Sequence, residues 1–87
     1  MINGGKYMNL IYEVNEKRFL DLDGSSYVGY GVSCFEVFNG YKKLLGQIYD
    51  LCSDFKIISE LIDKLNKFKV SCVHFYDVAY DFICGEY

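Results

Sequence analysis

His74, Asp77 and Asp81 stand at i, i+3 and i+7 within residues 71–83, the stretch of this chain richest in groups that could do chemistry. On an α-helix these positions fall along one line of the surface, with Tyr80 beside them. One imidazole among carboxylates could serve proton transfer, metal ligation or the docking of a basic partner. His74 is the only histidine of the chain. Around it no nucleophile, base and oxyanion donor fall into a recognisable catalytic pattern, so the sequence reads as that of a non-enzyme.

Metal ligation needs more donors than one helix supplies. His74 and Asp77 could give two ligands, and Cys52 or Cys34 would have to arrive from elsewhere in the fold to complete a zinc site. Cys72 and Cys84 cannot share a site on one helix, because twelve residues separate them by about 18 Å. None of the four cysteines forms the Cys-x-x-Cys pair of a zinc ribbon or a thioredoxin-type site. No basic start, apolar run and cleavage site mark a secretory leader. The thiols are therefore expected to be reduced, small hydrophobic side chains of a cytoplasmic protein, with zinc as the alternative to no cofactor.

The third use, docking, agrees with the composition. A formal charge of -3 and a pI near 4.9 argue against a direct grip on nucleic acid, which needs clustered Lys and Arg. From Val70 onward Asp77, Asp81 and Glu86 face no Lys or Arg, whereas Lys56, Lys64, Lys67 and Lys69 give the preceding segment a positive excess. With 52% hydrophobic residues, nine Tyr and seven Phe in 87 residues, a single domain this small cannot hide all its large side chains. Tyrosine left at a surface suits an interface, although β-propensity alone would also select it. No apolar run approaches the roughly 20 residues of a membrane span. The leading reading is a small acidic inhibitor or regulator. It would bind a larger protein with a basic surface through His74, Asp77, Tyr80 and Asp81, as phage and mobile-element inhibitors of the anti-CRISPR class do. Self-association into a homodimer stays open.

Stepwise patterning supplies the elements that would position this face. Residues 6–14 alternate with Met8, Leu10, Tyr12 and Val14 on one side, as in a half-buried strand. The polar residues 15–18 read as a turn, and Phe19, Leu20 and Leu22 as a short second strand stopped at residues 23–26. Residues 27–38 form the clearest strand, with Gly29 and Gly31 baring one side for a bulge or a close neighbour. Asn39-Gly40 is a strong hairpin signal, because a type I′ turn needs positive φ at both positions. Residues 41–49 should return antiparallel, although Leu45 disturbs their alternation. Ser53 is the expected cap of a helix striped by Phe55, Ile58, Leu61, Ile62, Leu65 and Phe68. Ser71 should cap a second helix striped by Phe75, Val78, Ala79, Phe82 and Ile83, and without proline one long kinked helix is the alternative. The expectation is an α+β domain spanning residues 1–87. Its antiparallel sheet of three to four strands over residues 6–49 is followed by helices near 54–68 and 71–84, packed on one sheet face.

From Tyr30 onward the chain also resembles a family of short clostridial proteins of unknown function. That family carries a Tyr-Gly-Ile strand, an Asp-Ile-Ser approach to a helix and a Ser-Pro-x-His-Leu-x-Asp-Val-Val-x-Asp-Phe helix. Tyr30-Gly31-Val32, Asp50-Leu51-Cys52 and residues 71–82 are similar to the three in turn, with Cys72 in place of the proline and Phe75 and Ala79 in place of aliphatic residues. The resemblance implies a sheet followed by helices and a use for His74, Asp77 and Asp81. It implies no activity.

Overall fold

The computed structural model describes residues 9–85. Residues 6–8 of the expected first strand, Met8 among them, lie outside the described residues. Three antiparallel strands, β1 (Asn9–Leu20), β2 (Ser26–Phe38) and β3 (Tyr41–Cys52), form a sheet of order β1-β2-β3. Two helices follow, α1 (Phe55–Lys67) and α2 (Cys72–Ile83), both against the same sheet face. The fold is α+β, as the patterning implied.

The turn expected at residues 15–18 does not exist. Asn15, Glu16, Lys17 and Arg18 continue β1 and pair with Gly31, Tyr30, Gly29 and Val28. Phe19 and Leu20 end that same strand, and Leu22 lies in the following turn. Glu16, Lys17 and Arg18 all face solvent, so no buried side imposes alternation on them. The true turn spans residues 21–25, closed by Asp21 N–H to Ser25 O at 2.7 Å and Gly24 N–H to Asp21 O at 3.0 Å. Gly24 there takes a φ of 89°. Asp23 Oδ1 accepts from the Ser25 N–H and hydroxyl, and those bonds hold its carboxyl below the usual range.

Asn39 and Gly40 adopt φ of 50° and 82°, the two positive values that a type I′ turn requires. Placing valine at both positions should lower stability by about 1–2 kcal/mol per residue, because a branched Cβ clashes with the backbone there. A thermal melt reads this directly, and an unchanged midpoint would refute the turn geometry. Farther along, Leu45 falls at a register shift between the Cys34–Gly46 and Phe35–Leu44 pairs, which accounts for its broken alternation. A second shift opposite Gly31 carries Asp50 to a φ of 55°.

Asp54, not Ser53, caps α1. Its carboxylate accepts from the Lys56 N–H at 2.9 Å, one residue later in the chain than the expected cap. The helices are separate because α1 ends in a Schellman motif, with Val70 N–H bonded to Leu65 O at 3.1 Å and Lys69 N–H to Asn66 O at 3.3 Å. Lys69 takes the left-handed position, φ 51°, where glycine is usual. Ser71 occupies the N-cap of α2 by backbone geometry, but its hydroxyl makes no capping bond. In the core Tyr12, Val32, Cys34 and Ile48 of the sheet meet Ile58, Leu61, Leu65, Phe75 and Ala79 of the helices. Among the described residues no helix is long and apolar enough to cross a membrane.

Candidate functional site

The position of α2 follows from its buried stripe. Phe75 and Ala79 are fully buried, and Val78, Phe82 and Ile83 are partly so. The Phe75 ring lies 5.2 Å from that of Tyr12 and 4.9 Å from that of Tyr76. Tyr76 in turn reaches over Gly46 of β3, where an added Cβ would stand 2.8 Å from its hydroxyl oxygen. At the start of α2 the Tyr12 hydroxyl donates to the Val70 carbonyl. These contacts fix the rotation of the helix, and with it the face turned outward.

That outward face holds His74, Asp77, Tyr80 and Asp81, all exposed, as the helical spacing requires. Val73 and Tyr76 join them, with Val73 81% and Tyr80 50% accessible. Among the described residues the ion pair formed is Lys42 with Glu13 at 2.9 Å, on the sheet, so neither Asp77 nor Asp81 is neutralised there. α2 has no basic residue in its last turn, and Asp81 lies near the negative end of the helix dipole. A cation brought to this face from outside would relieve both repulsions. The neighbouring α1 carries Lys64 and Lys67 in its last turn, so acidic and basic surfaces lie on adjacent helices.

The ligand set of His74, Asp77 and Cys52 is not assembled. Cys52 closes β3, its sulfur accepting from the Asp54 N–H at 3.2 Å. Among the described residues no three His, Cys, Asp or Glu side chains are grouped to hold a metal ion. Cys34 is buried beside Tyr12 and Cys72, a grouping that strand and helix periods read separately do not reveal. Burial pushes both the Tyr12 hydroxyl and the Cys34 thiol above their ordinary ranges, which keeps them neutral and unreactive at pH 7.

Among the described residues the other face of the sheet carries no helix. Phe19 and Tyr27 stack at 5.3 Å, and the Tyr27 hydroxyl donates to Asp50 at 3.0 Å, a bond that raises its pKa. The Lys42 ammonium sits 4.6 Å from the Phe35 ring centre, and Lys17 lies 5.0 Å from that of Tyr49. Between these groups Asn15 Nδ2 donates to Ser33 Oγ at 3.0 Å and Ile48 O at 3.3 Å, leaving its buried Oδ1 without a hydrogen bond. Here the surplus aromatics are partly occupied by cations of the same chain. On α2 the aromatics stand beside carboxylates that the described residues leave unpaired. A shallow depression near the β2–β3 hairpin, lined by Glu36, Phe38, Tyr41 and Lys43, contains neither histidine nor cysteine.

A family model described as a family of unknown function, DUF6514, matches residues 2–85. Neither the curated proteins nor the solved structures yield a match.

Proposed function

We propose, from the premise that this chain belongs to the DUF6514 family of unknown function, that it is a non-enzymatic protein-binding module whose outward face on α2 docks a basic surface of a larger protein. The observation that carries this reading is the set of exposed Asp77, Asp81, Tyr76 and Tyr80 on a helix anchored by Phe75 and Ala79. Aromatic side chains supply contact area at low conformational cost, and the carboxylates supply orientation and attraction. His74 lies at the edge of this face and adds a further polar contact.

A partner with a nucleic-acid-binding groove has the required chemistry, and the module would inhibit it by occupying that groove. Phage and mobile-element inhibitors of the anti-CRISPR class work in this manner, and the likeness of residues 71–82 to a clostridial family motif supports a bacterial or phage setting. The proposed compartment is the cytoplasm, where the thiols stay reduced.

The experiment compares the wild-type chain with Asp77→Ala/Asp81→Ala as bait in clostridial and phage-infected lysates, then measures affinity for the captured protein. Surface changes of this kind usually alter stability by no more than about 0.5 kcal/mol, so the double variant should melt like wild type. Its affinity should fall by roughly 30-fold, as for loss of about 2 kcal/mol at an interface centre. Wild-type binding should also weaken as salt rises. Equal binding by both forms at low and high salt would exclude the α2 face and move the functional surface to the bare sheet face.

A further inference from the structure

We infer that β1 is a self-pairing edge, and that two copies of this chain join their β1 strands antiparallel into one six-stranded sheet. The inference is independent of the partner proposed for α2.

β1 is an outer strand whose pairing with β2 runs through twelve residues without a register shift. Among the described residues its outward backbone groups are satisfied at one place, Tyr12, where the Asn66 side chain accepts from the N–H at 2.9 Å and donates to the C=O at 3.0 Å. The alternation of an antiparallel strand directs the same groups of Val14, Glu16, Arg18 and Leu20 outward along the same edge. The opposite edge is less suited to pairing, because β3 carries two register shifts and the adjacent lysines Lys42 and Lys43.

The side chains along the free part of β1 select both the occupant and the register. Outward groups must meet outward groups, so even-numbered residues pair with even-numbered residues. Centring a two-fold axis on Lys17 sets Glu16 opposite the partner's Arg18 and Val14 opposite the partner's Leu20, each pair occurring twice. All four residues project toward the helix side of the sheet. Val14 and Leu20 are 40% and 77% exposed in the single chain, so the pairing also covers apolar surface. Centring on Arg18 would oppose two arginines, and centring on Glu16 would oppose two glutamates. Only the Lys17 register is complementary throughout.

Lys17 would meet its own copy at the axis, yet its charge is directed elsewhere. Its register partner on β2 is Gly29, which has no side chain, and its ammonium lies 5.0 Å from the ring centre of Tyr49 on β3. The lysine therefore crosses the bare face away from the edge. The pairing ends where the Asn66 cap begins, opposite the partner's turn of residues 21–25. The acidic Asp21 and Asp23 of one copy are thereby brought toward Lys67 and Lys69 of the other.

The test is sedimentation equilibrium of the full chain over a wide concentration series, with circular dichroism to verify folding. The expected wild-type result is concentration-dependent conversion from 10.1 kDa to twice that mass. Glu16→Arg and Arg18→Glu, each placing like charges in both symmetry-related pairs, should each weaken self-association at least tenfold. The two single variants mixed together should form a heterodimer, and Glu16→Arg/Arg18→Glu in one chain should restore the homodimer. A wild-type mass fixed at that of the monomer would overturn the proposal. So would single variants that dimerise as wild type does, or a mixture that fails to associate while both components are folded.

Discussion

Phe75→Ala should remove roughly 3–5 kcal/mol of stability, the range for deleting a large aromatic from a packed core. The ring is fully buried, touches Tyr12 and Tyr76, and joins α2 to the sheet beneath it. Domains of this size hold only about 5–15 kcal/mol in total, so the loss would leave the variant marginal at best. Urea unfolding followed by circular dichroism measures it, and a change below about 1 kcal/mol would mean that α2 is not docked as described. The Asp77→Ala/Asp81→Ala variant provides the contrast, since it alters the opposite side of the same helix and should unfold like wild type.

Gly31→Ala is expected to cost 3 kcal/mol or more, at or beyond the upper end of usual overpacking. An added Cβ would stand 1.8 Å from the Ile48 carbonyl oxygen and 2.8 Å from Asn15 Oδ1. The nearer atom is backbone, held between β2 and β3 at the register shift, and cannot rotate away. Gly29→Ala is a useful comparison. Its nearest contact, at 2.2 Å, is the end of the Asp50 side chain, which can move if it gives up the Tyr27 bond. Gly29→Ala should therefore cost less than Gly31→Ala, and the reverse order would show that the bulge, not the side chain, is the yielding element.

The parts of the fold legible in the sequence were those written in one continuous period. The stripe of Ile58, Leu61 and Leu65, the stripe of Phe75 and Ala79, and the Asn39-Gly40 turn each carry their own local signal and occur where expected. The second half of β1 was not legible, because exposed Glu16, Lys17 and Arg18 have the composition of a turn and are extended through pairing with β2. The break between the helices was legible from Ser71, which occupies the N-cap of α2, but the device that ends α1 was not, since Lys69 takes a conformation usually announced by glycine. The surface face of α2 could be read from spacing alone. The Tyr12, Cys34 and Cys72 neighbourhood could not, because it joins residues from β1, β2 and α2.

The Asn66 cap on β1 also bears on the order of assembly. Both hairpins close over short loops, at residues 21–25 and 39–40, whereas Asn66 reaches Tyr12 across 54 positions of sequence. Short-range pairing forms fastest, so the sheet can acquire its register before α1 arrives. Until then Tyr12 and its neighbours expose an uncapped strand end, and the apolar face beneath the helices is open to other chains. Such intermediates are prone to aggregation, so helix docking closes a window of adhesiveness as well as completing the core. A nascent chain released before α1 and α2 have been synthesised would remain in that window.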